Sequence, residues 1–471
     1  MTAAGTAAPT VASGRSDPEA LRLIRAHNAH TRAWIVVLDD DPTGSQAVYD
    51  VTVLVEPTAE DLLRAARGRR TTFVWTNTRS MPEATAAGIN RDLVRAAIDA
   101  GATAGVRPVF VSRGDSTLRG HFAAELSALT STCASTGRPV DGVVFVPAFL
   151  EAGRFTAQDV QWVRQPDGSA LPAADTEFAR DATFGYRETN LRDWVAARTG
   201  LYEEEITSIP LDELRNGVAD RILLSLRQGA LVIANATEAA DLETLALACQ
   251  HAERAGRRLV YRTGPSFVRA LAGRPARGAL TASDLGGPGG FGLTVVGSHT
   301  ALTTRQLDAA VRRHHLTVVE LDVDAVRDTG RREDARGDTI AALERALRRG
   351  HAALVTSRSV RTVADDPQES LAIARLVSDE VCTVVRGLAP DLALGYVVAK
   401  GGITSHEVAA RGLDVREATV LGQLFPGTVS VLRLGPETSQ PGMPYVVFPG
   451  NVGADDALAH VLGVLTGPPP C

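Results

Sequence analysis

Trp34-Ile35-Val36-Val37-Leu38 is a short β-branched apolar run that halts at Asp39-Asp40-Asp41-Pro42-Thr43-Gly44. A buried parallel strand meets a loop in this way, because both of its faces are covered and only its end reaches water. Runs of the same kind recur at 51–55, 72–76, 108–112, 142–147, 231–234 and 258–262, separated by alanine- and arginine-rich stretches with helical spacing such as Glu83–Ala100. Strands alternating with helices predict an α/β domain with a largely parallel sheet. The stretch Gly286-Gly287-Pro288-Gly289-Gly290-Phe291-Gly292 then breaks the pattern and reads as a linker. The alternation restarts with strands over 293–297, 316–321 and 352–356, helices over 338–350 and 369–387, and a strand over 395–399. The expected organisation is a loose tail over 1–32, one α/β domain over 33–285, the linker over 286–292 and a second α/β domain over 293–471.

A chain of 471 residues, 44% hydrophobic and 22% charged, has room for two or three cores. Its net charge of −6 leaves no basic footprint for nucleic acid, so an anionic ligand must be met by locally placed arginines. Cys133, Cys249, Cys382 and Cys471 form no C-x-x-C pair, which argues against a zinc knuckle or a disulfide framework and suits a reducing cytoplasm. The N-terminal tail is rich in Ala, Thr and Ser and holds no continuous apolar core of a secretory signal. No window approaches the ~18 apolar residues of a membrane span. Nothing in the sequence decides between a monomer and a homodimer.

Loops at strand ends carry the candidate chemistry. The carboxylates of Asp39-Asp40-Asp41 crowd the end of the first strand, where open α/β sheets place their ligands. Such a cluster suits a general base or a magnesium ligand, whereas an N-cap followed by a Pro-initiated turn explains one aspartate but not three. Ser112-Arg113-Gly114-Asp115-Ser116-Thr117-Leu118-Arg119-Gly120-His121 mixes guanidinium groups with hydroxyls and a carboxylate, the composition of an anion receptor or of a capped helix start. Arg79, at another strand end, is a candidate for the same pocket.

The later loops are of a different kind. Of 49 basic residues only Lys400 is a lysine, and it stands directly before Gly401-Gly402-Ile403-Thr404-Ser405. A compact cation beside bare backbone N–H groups has the ingredients of a phosphate cradle, although a glycine pair also simply ends strands. Phe448-Pro449-Gly450-Asn451-Val452-Gly453 is a second glycine-bearing strand end, and Gly297-Ser298-His299 a third. There is no G-x-x-x-x-G-K-[ST], no H-E-x-x-H because Ala410 holds the second histidine's place, no G-x-S-x-G and no G-x-G-x-x-G after the first strand. A P-loop, a zincin, a nucleophile-elbow hydrolase and a dinucleotide dehydrogenase are correspondingly disfavoured.

Taken together and in order, Asp40-Asp41-Pro42-Thr43-Gly44, Asp115-Ser116-Thr117-Leu118-Arg119-Gly120, Gly401-Gly402-Ile403-Thr404 and Gly450-Asn451-Val452-Gly453 resemble the motifs of the four-carbon acid sugar kinase family, over nearly the whole chain from Trp34. Pro42, Ser45-Gln46 and Lys400 depart from that family's commonest pattern. The resemblance implies two α/β domains, an N-terminal one for the sugar acid and a C-terminal one for ATP, with the active site in the cleft between them. It implies ATP- and Mg²⁺-dependent phosphorylation of erythronate, threonate or a 2-oxo-tetronate. Asp40 and Asp41 would be catalytic. Thr43, Arg79, Arg113, Asp115, Ser116 and Arg119 would bind the sugar acid, its carboxylate held by Arg113, Arg119 and Arg79. Ser298, Lys400, Gly401, Gly402, Thr404, Gly450 and Gly453 would bind the nucleotide. The alternative is a regulatory binder of sugar acid or nucleotide without turnover.

Overall fold

The computed structural model describes residues 16–68, 70–165, 167–286, 290–298, 300–357, 367–450 and 452–467. Internal contacts divide the chain into two compact units between Arg277 and Gly278. The division falls ahead of the expected linker, because Leu280 and Leu285 are buried in the second unit's core and the Leu280 N–H donates to Gln423 O at 2.7 Å. Residues 287–289 of that glycine stretch lie outside the described residues.

The first unit is built on strands β1 (Ala33–Asp39), β2 (Thr52–Val55), β3 (Thr72–Trp75), β4 (Arg107–Arg113) and β5 (Gly142–Val146). A small antiparallel sheet follows, β6 (Arg154–Ala157), β7 (Val160–Arg164) and β8 (Ala170–Pro172). The main sheet resumes with β9 (Thr207–Ile209), β10 (Ala230–Ala234) and β11 (Leu259–Thr263). Its strands are parallel in the order β2-β3-β1-β4-β11-β5-β10-β9. The central strand β1 is buried along its whole length, as its unbroken apolar run requires. From β1 the chain goes to β2 and β3 on one side and then crosses to β4 on the other. The crevice of such a sheet opens where the order reverses, at the carboxyl ends of β1 and β4.

The expected tail contains a helix. Pro18–His30 begins at an Asp17 cap with proline in its first turn and buries Leu21, Ile24 and His27. Asn28 ties it down, donating to Leu271 O at 2.9 Å and accepting from Gln250 at 3.0 Å. Only this short apolar stripe distinguishes the segment from its Ala- and Thr-rich surroundings.

The second unit has strands β12 (Leu293–Val296), β13 (Thr317–Leu321), β14 (Ala352–Thr356), β15 (Val397–Lys400), β16 (Glu417–Phe425), β17 (Val429–Leu434) and β18 (Pro444–Phe448). The order is β13-β14-β12-β15-β18-β17-β16. The first five are mutually parallel, and β17 and β16 add an antiparallel edge to that set. Here too the order reverses at the first strand of the unit, so the carboxyl ends of β12 and β15 flank the crevice. Among the described residues no helix is long and apolar enough to cross a membrane.

Candidate functional site

In the first unit the parallel register places Asp39 beside Trp75 of β3 and Arg113 of β4. The loops following β1, β3 and β4 therefore leave the sheet side by side. Arg113 is almost fully buried, and its guanidinium meets three groups: Asp39 Oδ1 at 2.5 Å, Asp40 Oδ1 at 3.1 Å and the Asp41 carbonyl at 2.9 Å. Arg79 grips Asp40 with two bonds, at 2.6 and 3.1 Å, and reaches Asp41 Oδ2 at 3.3 Å. Thr43 donates its N–H and hydroxyl to the other Asp41 oxygen, at 2.8 and 2.5 Å. Gly44 closes the turn where a Cβ would stand 1.9 Å from Arg113 Nε, so no larger residue fits without breaking the pair.

These surroundings separate the three aspartates. Burial pushes the Asp39 carboxyl well above its usual range, against the pull of Arg113. Burial acts the same way on Asp41, but Arg79, Arg113 and the Thr43 bonds outweigh it and hold that carboxyl below the usual range. Asp40 is buried, whereas the Asp41 side chain keeps 22% of its surface exposed. The cluster does not have the form of a magnesium site, because its carboxyl oxygens already face guanidinium groups or Thr43. Among the described residues no group of three or more His, Cys, Asp or Glu side chains is placed to hold a metal ion.

The loop after β4 carries Asp115, Ser116 and Arg119. Burial alone would raise Asp115, but Arg79, Arg119 and Arg154 together hold its carboxyl far below the usual range. Arg119 Nε donates to Asp115 at 2.6 Å, and Thr117 donates to the same oxygen. Arg154, at the start of β6, donates to Ser116 Oγ at 2.8 Å, and its Nε lacks a hydrogen-bond partner among the described residues. The guanidinium groups of Arg119 and Arg154 each lie 5.1 Å from the centre of the Phe178 ring. Asp181 stands 3.7 Å from Arg119. The loop is held from behind by Tyr186, whose hydroxyl donates to Thr117 O at 2.9 Å and whose ring belongs to the Phe122, Phe145 and Trp194 cluster. Leu118 adopts φ +71° there, a left-handed conformation that costs a non-glycine residue about 1–3 kcal/mol and is held by its burial in that core.

The expectation that Arg113 receives a substrate carboxylate is altered by this geometry. Its guanidinium is enclosed and already engaged by the aspartate loop, and Arg79 is largely committed as well. Arg119 and Arg154 have side-chain exposures of 26% and 21%, against 18% for Arg79, which is held by three bonds to the aspartates, and 3% for Arg113. Arg154, Phe178 and Asp181 were not legible as site residues from the sequence. They come from segments downstream of β5 that carry no strand-end motif, and only the fold brings them beside Asp115.

In the second unit the glycine loops converge. A Cβ on Gly297 would stand 2.1 Å from Thr404 Oγ1, and one on Gly450 would stand 3.0 Å from Ser298 Oγ. Gly401 takes φ +128° and donates its N–H to Phe448 O at 2.8 Å, after which Gly402 opens the short helix Gly402–Glu407. Ser298, Gly401, Thr404 and Gly450 thus lie around one crevice, and Gly453 takes φ +84°. Lys400 points elsewhere: its ammonium donates to Pro449 O at 2.7 Å and Gly450 O at 3.3 Å and is fully buried.

A family model described as a sugar-binding N-terminal domain matches residues 35–271, and one described as a nucleotide-binding C-terminal domain matches residues 293–458. The chain belongs to the four-carbon acid sugar kinase family. A curated relative, D-erythronate kinase of Heliobacterium modesticaldum, is 29% identical over 358 residues, which cover 69% of this chain and 74% of that protein. Two solved structures share the fold. A Salmonella typhimurium LT2 protein aligns with a TM-score of 0.64 at 18% identity, covering 91% of this chain and 98% of its own. A Haemophilus influenzae protein aligns at 0.58 and 17%, covering 91% and 100%. The family match assigns sugar binding to the unit of paired charges and nucleotide binding to the unit of glycine loops.

Proposed function

We propose that this protein transfers the γ-phosphoryl group of ATP to the terminal hydroxyl of a four-carbon sugar acid: erythronate, threonate or a 2-oxo-tetronate. The observation that carries this reading is the division of labour among the first unit's arginines. Arg79 and Arg113 neutralise the aspartate loop and fix it, while Arg119 and Arg154 remain accessible beside Ser116 and Asp115. A small acid offers one carboxylate for such forks and several hydroxyls for Asp115, Ser116 and Thr43. Its carboxylate would go to Arg119 and Arg154 and its terminal hydroxyl to Asp41, with Asp40 holding Arg79 in place. The 29%-identical relative named for D-erythronate supports the four-carbon class.

Phosphoryl transfer needs alignment and charge neutralisation more than covalent help. Backbone N–H groups at Gly401, Gly402, Gly450 and Gly453, with the hydroxyls of Ser298 and Thr404, would receive the phosphates of ATP. Magnesium would arrive as part of the Mg–ATP substrate. The reaction is one of the cytoplasm, where ATP is supplied. An ADP-release assay with Mg–ATP against the enantiomers of erythronate and threonate, 2-oxo-tetronates and longer aldonates tests this. One four-carbon acid is expected to raise the rate far above that of ATP alone. Stimulation by none of them, with ATP still bound, would turn the reading into that of a binder.

A further inference from the structure

Lys400 closes β15 between Val296 of β12 and Phe448 of β18, and none of its side chain reaches solvent. The ammonium has three N–H bonds to place. It donates to Pro449 O and Gly450 O and lies 3.8 Å from the centre of the Phe448 ring, whose face attracts a cation. Burial lowers the ammonium to about 7, as expected of a cation enclosed by neutral groups. In a chain with 49 basic residues this is the single lysine, a compact ammonium where every other basic residue is a planar guanidinium fork.

The carbonyls beyond Lys400 are drawn inwards in the same way. Gly450 O also accepts from Thr303 Oγ1 at 2.9 Å, and Gln306 Nε2 donates to Val452 O and Ala454 O at 2.9 and 2.8 Å. The described peptide bonds are all trans. A trans peptide turns its C=O and its N–H in opposite directions. Drawing the carbonyls of Pro449 and Val452 onto Lys400 and Gln306 therefore turns the N–H groups of Gly450 and Gly453 the other way. Backbone N–H groups left free of the carbonyls in this way are donors for an anion.

We propose that Lys400 is a positioning residue, a buried pin that holds the turn after β18 so that backbone N–H groups, and not the ammonium, meet the phosphates of a nucleotide. The inference rests on the nucleotide-binding reading of the second unit.

The sole lysine allows a direct test. Full-length protein labelled with ¹³C at lysine Cε gives one side-chain signal, and the Phe448 ring shifts its methylene protons upfield. That upfield position is expected to persist at saturation with ADP, judged by calorimetry on the same sample. Movement to the position of a free or phosphate-paired lysine would overturn the inference while leaving nucleotide binding intact. Lys400→Met keeps the stem beside the ring but cannot hold the carbonyls. Its ADP affinity is expected to fall about ten-fold, or ~1.4 kcal/mol, and that of Lys400→Arg by at least as much. Unchanged affinity in both variants would also overturn it. If wild-type protein gives no heat with ADP, the nucleotide reading fails and takes this inference with it.

Discussion

The first unit builds its site from charged side chains that nearly cancel, and the second builds its site from backbone. Around Asp39–Asp41 and Asp115, every carboxylate has a guanidinium within reach, and the loops are fixed by those pairs. Around Gly401 and Gly450, glycines allow loops to touch, and one buried ammonium with Thr303 and Gln306 fixes the carbonyls. The difference suits the ligands. A sugar acid has stereochemistry to be read by directional side chains, whereas phosphates present the same oxygens in every nucleotide and are met by repeated N–H groups. Damage should differ accordingly: a lost charge in the first unit strands its partner in the interior, while a lost glycine in the second disturbs ligand approach more than folding.

The largest expected effect comes from Arg113→Met, which leaves the buried Asp39 without its guanidinium and Asp40 with Arg79 alone, and should cost about 3–5 kcal/mol of stability. Denaturant unfolding reads it, and a loss below about 1 kcal/mol would mean that the aspartate loop does not depend on this pair. Next, Asp41→Asn should lower kcat about 100-fold or more with the sugar-acid KM little changed, and equal turnover would remove Asp41 from the reaction. Arg154→Gln should raise the sugar-acid KM about 10- to 100-fold while kcat and the ATP KM stay within a few-fold. An effect on the ATP KM instead would break the division between the two units. Gly450→Ala should weaken ADP binding about ten-fold with little change in melting temperature, because its Cβ would stand 3.0 Å from Ser298 Oγ, a contact that a shift of a few tenths of an ångström relieves.

The smallest expected effect is on the pH dependence of each unit. Asp41 and Asp115 are held below the ordinary 3.8, so the stability they contribute is complete above that value and is lost as pH falls through their lower folded values. Asp39 acts in the opposite sense: its raised value contributes below 3.8 and is lost as pH rises through it. Asp41 and Asp115 thus make their loops lose stability in acid, and Asp39 works against them. Lys400 binds its proton less readily in the folded protein, about 7 against 10.5, so the second unit should gain stability as pH rises between those values. Amide hydrogen exchange followed unit by unit distinguishes the two slopes; parallel loss of protection in both would contradict the comparison.

Much of the framework was legible because buried parallel strands leave unbroken apolar runs. The runs at 34–38, 108–112 and 352–356 correspond to β1, β4 and β14. What the sequence concealed was of two kinds. The antiparallel pieces β6–β8, β16 and β17 alternate polar and apolar residues and resemble loops in so arginine-rich a chain. The roles of individual arginines were also hidden, since Arg79, Arg113, Arg119 and Arg154 differ only in what they face. Lys400 stood out by composition, yet its direction, inward to carbonyls, is a property of the β15–β18 register. The helix Pro18–His30 was missed because three apolar-face residues in a small-residue tail carry little periodic signal.

Transfer of a phosphoryl group to the terminal hydroxyl of a four-carbon acid leaves a phosphate on a CH₂ carbon. Proton-coupled ³¹P NMR of a reaction containing Mg–ATP and the acid that best stimulates ADP release tests it most directly. A phosphomonoester signal split into a triplet by the adjacent CH₂, growing in step with ADP, is expected. A doublet would put the phosphate on a secondary hydroxyl, and inorganic phosphate alone would mean that water, not the sugar acid, is the acceptor; either result would contradict the account.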